Sequence, residues 1–163
     1  MAFRAPLVVR LAAFLDEIGV QARPGVVAED CVLPGIDVDR GVLVIDEARL
    51  LYPGDILHEA GHLAVTPPER RAELDHDVGE DPALEMAALA WSYAAALAAG
   101  IDPALVFHEH GYKGYAQDIL ANFQAGHFVG LPILQWVGMA HDEANATRLG
   151  RPAFPAMERW VRR

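Results

Sequence analysis

The sequence predicts an α+β domain, rich in helix, with a short β-hairpin or a small antiparallel or mixed sheet placed before a central helix. Three observations carry this. The 163 residues are 53% hydrophobic and 22% charged, which gives one domain, 1–163, its own core and argues against intrinsic disorder. Apolar residues at helical spacing near the start give way to alternation at Ile36-Asp37-Val38-Asp39 and a β-branched run at Val42–Ile45. A long alanine-rich stretch after Pro82 then favours helix over strand.

Taken in order, Leu7, Val8, Leu11, Phe14, Leu15 and Ile18 fall on one face of a first helix. The same segment superficially resembles a secretory leader, but Arg10 interrupts the apolar run and Asp16 and Glu17 follow it. Gln21 to Pro34, with Pro24 and Gly25, reads as a loop. Ile36 to Ile45 reads as a hairpin turning at Arg40-Gly41, its second strand the more buried. Tyr52-Pro53-Gly54-Asp55 introduces a helix running to about Ala64, stopped by Thr66-Pro67-Pro68. A short charged helix from Pro68 to Leu74 and an acidic loop from Asp75 to Asp81 follow. Asp81-Pro82 supplies an N-cap and a first-turn proline for the alanine-rich helix, which Gly100 ends. In the last third, Gly114 to Gln124 reads as helix and Gly126 to Gly138 as an apolar segment punctuated by Gly and Pro. Ala153 to Val161 reads as a terminal helix, with Phe154, Met157, Trp160 and Val161 on one side and Arg159, Arg162 and Arg163 solvated. The expected organisation is a core over 36–99 and a helical extension over 103–163.

Charge and cysteine content narrow the function. The net charge of −10, from 13 basic and 23 acidic residues, is the wrong sign for a direct nucleic-acid partner. Cys31 is the single cysteine, so a disulfide framework and a thiolate zinc site are both excluded, and a metal would have to be held by histidine and carboxylate. The most apolar stretch, Met86 to Ile101, falls short of the roughly 20 residues that span a bilayer. No membrane association and a cytoplasmic location are the expectations.

The informative stretch is His58-Glu59-Ala60-Gly61-His62, an HExxH pattern inside the second predicted helix. Histidines at i and i+4 lie one turn apart on one face, so both imidazoles can reach a single Zn²⁺ at about 2.0–2.1 Å. Glu59 is offset around the helix, toward a metal-bound water rather than the ion. The competing structural reading, a hydrogen-bonded histidine pair facing the core, leaves two buried imidazoles costly to satisfy. A metzincin would carry histidine at position 68, where Pro68 stands, and glycine where Val65 stands. The leading third ligand is Glu85, in the first turn of the helix capped by Asp81, with Glu80, Asp77, Asp75 and His76 as competitors. Asp55, three residues before His58, is either a helix N-terminal charge or an acceptor that orients an imidazole. A donor for a developing oxyanion is left open among Tyr93, Tyr112, Tyr115, His108, His110 and His127. His108 and His110, two residues apart, do not share a helix face and make a poor second metal site. Gly111 and Gly114 around Tyr112-Lys113 lack the ending of a phosphate loop. The Ile36–Ile45 hairpin is expected to offer a strand edge to an extended peptide.

The His58–His62 segment after a strand, followed by Glu85-Met86-Ala87-Ala88-Leu89-Ala90-Trp91-Ser92 on the next long helix, resembles the ImmA/IrrE-type zinc metallopeptidases over roughly residues 36–99. The second motif of that family is a glutamate three residues before an Ala-Asn pair, with an aromatic shortly after. Glu85, Ala88 and Trp91 match it, and Leu89 stands where asparagine is usual. The resemblance implies a small zincin-like fold, Zn²⁺ held by His58, His62 and Glu85, Glu59 as general base, and a peptide or protein substrate. The chemistry of the residues leads to the same roles, with Glu59 moving a proton from water to the leaving amine. The expected function is therefore zinc-dependent peptide hydrolysis. The alternative is a metal-binding regulatory or protein-interaction module with little or no hydrolysis, serving a partner or a homodimer.

Overall fold

The computed structural model describes residues 2–163. The apolar stripe near the start becomes helix α1 (Pro6–Ile18), which buries Val8, Leu11 and Leu15 and ends at Gly19 in the left-handed region. The alternating segment becomes β2 (Ile36–Asp39) and β3 (Val42–Ile45), joined through Arg40 and Gly41, both at positive φ, as a tight hairpin requires. β3 is the central and more buried strand, because a third strand, β1 (Ala22–Pro24), pairs parallel to its other edge, giving the order β1-β3-β2. β1 lies inside the stretch expected to be a loop. Three residues are too few for a period to show, and the chain is held to β3 by hydrogen bonds such as Leu43 N–H to the carbonyl of Gln21, just before β1, at 3.0 Å.

Helix α2 (Asp55–Val65) carries the HExxH residues, and α3 (Pro68–Arg71) is the short charged helix that follows. α4 (Pro82–Ala98) starts as expected, the Asp81 carboxylate accepting from the backbone N–H groups of Ala83 at 2.9 Å and Leu84 at 3.4 Å. Apolar nearly all round, α4 is the central helix: Trp91 is fully buried, and alanines from 87 to 96 let other elements approach its backbone. α5 (Ala116–Gln124), α6 (Leu131–Trp136) and α7 (Glu143–Leu149) complete the fold, which is a small α+β domain. None of the described helices is long and apolar enough to cross a membrane.

The expected terminal helix is a correction. Residues 153–161 are irregular, and the last helix is α7, between the Asp142 cap and Gly150. Pro152 and Pro155 lack the backbone N–H that a continuing helix needs, and tertiary contacts take up the apolar side chains instead. Phe154 is buried, while Met157, Trp160 and Val161 pack against the core. Arg162, expected in solvent, is half-buried: its N–H donates to the Ala64 carbonyl at 2.9 Å.

That contact helps to close the buried C-terminal end of α2, where four carbonyls have no partner within the helix. Thr66 serves His62 O, Arg71 Nε serves Leu63 O at 2.8 Å, and Arg162 serves Ala64 O and Val65 O. Arg71 also donates to the carbonyls of Thr66 and Arg162, and Trp91 Nε1 donates to the Trp160 carbonyl at 2.8 Å. At the other end of α2, a Cβ on Gly54 would lie 1.8 Å from the Leu105 carbonyl oxygen, so only glycine lets this helix start against the 103–105 turn. We expect Gly54→Ala to lower stability by about 3 kcal/mol in chemical denaturation, the upper part of the range for overpacking. A loss below about 0.5 kcal/mol would contradict the close approach.

Candidate metal centre

Three close contacts bring the predicted ligands together. Nε2 of His58 lies 3.1 Å from Nε2 of His62 across one turn of α2. Glu85, at the start of α4, places Oε2 at 2.8 Å from His62 Nε2 and Oε1 at 3.5 Å from His58 Nε2. Ligands at 2.0–2.1 Å from a tetrahedral ion stand about 3.3 Å from one another, so this donor set fits Zn²⁺ in both chemistry and spacing. The His62 side chain is 5% exposed and that of Glu85 is 43% exposed, so the cluster is closed on the α2 side and open on the α4 side.

The alignment of these residues follows from helix packing. A Cβ on Gly61 would lie 3.0 Å from the Ala88 carbonyl oxygen and 3.2 Å from the Trp91 ring, so α2 and α4 meet there nearly backbone to backbone. Glu85 is three residues before Ala88 on the same face, which sets it beside the histidines. At Gly130, φ is +88° and a Cβ would lie 2.0 Å from the Met86 carbonyl oxygen, so the chain entering α6 closes on the same end of α4.

Glu59 is the neighbouring carboxylate. His58, Glu59 and His62 each offer a ligand atom within 4.8 Å of the others, so Glu59 by itself also qualifies as a third ligand. Direct contacts to both imidazoles, at 2.8 and 3.5 Å, favour Glu85 as ligand and leave Glu59 beside the site. Burial pushes Glu59 up from 4.5 to about 7, with Glu85, Asp55 and Asp77 adding and His62 opposing. Burial also brings His58 down to about 4, helped by His62 and opposed by Glu85. The hydrogen bond from His62 and the charges of both imidazoles hold Glu85 below its ordinary value against the effect of burial. The unprotonated imidazole of His58 and the carboxylate of Glu85 are the forms that bind metal.

Several of the other candidate residues have partners of their own. Asp55 sits in the first turn of α2 and accepts from an imidazole, but that imidazole is His108, at 2.7 Å. His58 Nδ1 is buried without a partner among the described residues, and the His58 ring is flanked edge-on by His62 and Tyr112 at 4.7 and 5.1 Å. The competing candidates Asp75, His76 and Asp77 have partners elsewhere. Asp75 and Asp77 form a backbone bridge, Asp77 accepts from Gly79 N–H, and His76 contacts the Asp37 carboxylate at 2.9 Å. Glu80 is exposed. His108 and His110 lie over the Tyr52 ring, and His110 contacts Glu109 in solvent.

The strand edge expected to receive a peptide is taken by the chain itself. On the outer side of β2, His76 N–H donates to the Val38 carbonyl at 2.8 Å, Asp37 Oδ1 accepts from Val38 N–H, and Ile36 N–H donates to the Leu33 carbonyl. Among the six oxyanion-donor candidates, Tyr93 packs against Phe123 and Phe128, Tyr115, His110 and His127 are exposed, and His108 is held by Asp55. Of the six, Tyr112 combines a ring against His58 with a buried hydroxyl that has no partner among the described residues. Burial and the carboxylates of Asp55, Glu85 and Glu59 raise that phenol well above its ordinary range. Comparison of the chain with protein-family models, curated proteins and solved structures finds no match.

The shifts of Glu59 and His58 oppose each other in the metal-free protein. A carboxyl raised from 4.5 to about 7 stays protonated in the folded chain after the unfolded chain has ionised, so stability falls as pH rises through that window. An imidazole lowered from 6.5 to about 4 has the opposite effect between those values. Glu59→Gln removes only the first. We expect the stability of Glu59→Gln relative to wild type to increase by up to about 3 kcal/mol between about pH 4.5 and 7.5, measured by denaturant titration with chelator. A pH-independent difference would show that Glu59 ionises as freely as in water.

Proposed function

We propose that this chain is a zinc-dependent metallopeptidase of the HExxH-plus-glutamate type, resembling the ImmA/IrrE-type enzymes. The observation that carries the reading is the meeting of His58, His62 and Glu85 within 2.8–3.5 Å, with Glu59 beside them. When bound by these three ligands, zinc would supply Lewis acidity toward a peptide carbonyl and acidify a water molecule. Glu59, with a proton affinity near neutrality, takes the proton from the attacking water and returns it to the departing amine nitrogen. A peptide bond plus water gives a carboxylic acid and an amine, and Glu59 ends as it began. The open Glu85 side is where a peptide or protein substrate would approach. The cytoplasm is the compartment this reading assigns, where the half-buried thiol of Cys31 stays reduced.

One observation favours the second reading, a metal-binding interaction module. The chain segment around His76 covers the β2 edge, so a substrate backbone finds no free strand to extend there.

Metal analysis of untagged protein and cleavage of a peptide library separate the two. We expect one zinc per chain, cleavage by the wild type, and a Glu59→Gln variant that keeps zinc while turnover falls by about 10²–10⁴-fold. Glu85→Ala should lose zinc. Zinc without cleavage in the wild type leaves the interaction module, and a wild type without zinc overturns both.

A further inference from the structure

We propose that Tyr112 is a catalytic residue of this site, its phenolic O–H donating a hydrogen bond to the oxygen of the scissile carbonyl as that oxygen becomes negative. The inference rests on the hydrolase reading and goes beyond it, because neither the HExxH pattern nor the ligand set designates such a donor.

The first support is an unmet hydrogen bond. Buried hydroxyls nearly always have partners, yet among the described residues the Tyr112 hydroxyl has none, and it is closed off from solvent. Its surroundings are those of the site: the ring lies edge-on to His58 at 5.1 Å. A phenolic O–H can donate one hydrogen bond, and a substrate carbonyl beside His58 would be its missing acceptor.

The second support is backbone geometry. Tyr112 and Lys113 both have φ of +54°, a left-handed pair of non-glycine residues between Gly111 and Gly114. Strain of this kind persists only where neighbouring contacts impose it. Here Gly111 N–H donates to the His108 carbonyl at 3.0 Å, and His108 Nε2 donates to Asp55 Oδ1 at 2.7 Å, tying the segment to the first turn of the HExxH helix. The His108 ring stacks on Tyr52 at 4.2 Å, and the Tyr112 ring on Phe107 at 5.5 Å. Asp55 and His108 are thus positioning residues, which fix Tyr112 without touching substrate.

The step balances with the donor in place. As the water oxygen bonds to the carbonyl carbon, the π pair of the C=O bond moves onto oxygen and Glu59 takes the water proton. The Tyr112 O–H bond stays intact and points at the new charge. When that pair returns and the C–N bond breaks, the nitrogen receives the proton from Glu59.

The test uses the zinc-loaded full chain, with Tyr112→Phe, Glu59→Gln, His108→Ala and the double variant Tyr112→Phe/His108→Ala. For Tyr112→Phe we expect kcat to fall by about 10²–10³-fold with KM nearly unchanged. Zinc content, the visible spectrum of the Co²⁺ form and the melting temperature should stay at wild-type values. His108→Ala should lower kcat in the wild-type background and add little in the Tyr112→Phe background, a non-additivity that general loosening would not give. A Tyr112→Phe protein with full kcat, while Glu59→Gln is inactive, overturns the proposal and leaves the hydrolase reading standing. An altered Co²⁺ spectrum overturns it by making Tyr112 a metal ligand. A wild type that binds zinc and cleaves nothing removes the hydrolase reading, and the role of Tyr112 with it.

Discussion

Helices α2 and α4 approach until Gly61 meets the Ala88 carbonyl and the Trp91 ring, and the geometry of the site depends on that approach. A larger residue at either contact would move α4 outward and draw Glu85 away from the imidazoles. The small residues of α4 therefore serve placement as well as burial. Trp91, the one bulky side chain buried at this contact, fills the volume that the alanines leave and anchors α4 to the chain at Trp160. Gly54 does for the start of α2 what Gly61 does for its middle, letting the 103–105 turn lie on the helix and bringing the segment that carries His108 and Tyr112 over the site.

Burial and charge are in tension across the cluster. His58, Glu59 and Asp55 all resist ionisation because they have been taken out of water, whereas Glu85, the most exposed of the group, is held ionised by its imidazole neighbours. This divides two chemically similar carboxylates by environment: the outer one suited to a cation, the inner one suited to exchanging a proton near neutral pH. The acidic surplus of the chain is thus partly a local property, since Asp77 from the following loop also acts on Glu59.

The sequence revealed most where local chemistry decides the outcome. The stripe of α1, the Arg40-Gly41 turn, the Asp81-Pro82 cap and the spacing of His58 and His62 each follow from a few adjacent residues, and all four appear in the structure. Glu85 was legible as a candidate because its cap fixes where α4 begins. β1 was hidden because three residues at a sheet edge owe their conformation to β3. The 153–161 segment misled because its apolar spacing suits a helix while Pro152 and Pro155 do not, and the core accepts the same side chains from an irregular chain. Asp142 and Gly150, an N-cap and a left-handed stop, mark α7 in the sequence. The special place of Tyr112 had no sequence signal, since it depends on a burial and a ring contact that form only when residues far apart in the chain meet.

The finishing of α2 has a consequence for how the molecule comes into being. Two of its end carbonyls, Ala64 O and Val65 O, are satisfied by Arg162, and Arg71 is held against the carbonyl of the same residue. During synthesis the histidines emerge about a hundred residues before the arginine that closes their helix, so a nascent chain carries the ligands long before it carries their frame. Assembly of the site is thereby deferred until Arg162 has left the ribosome.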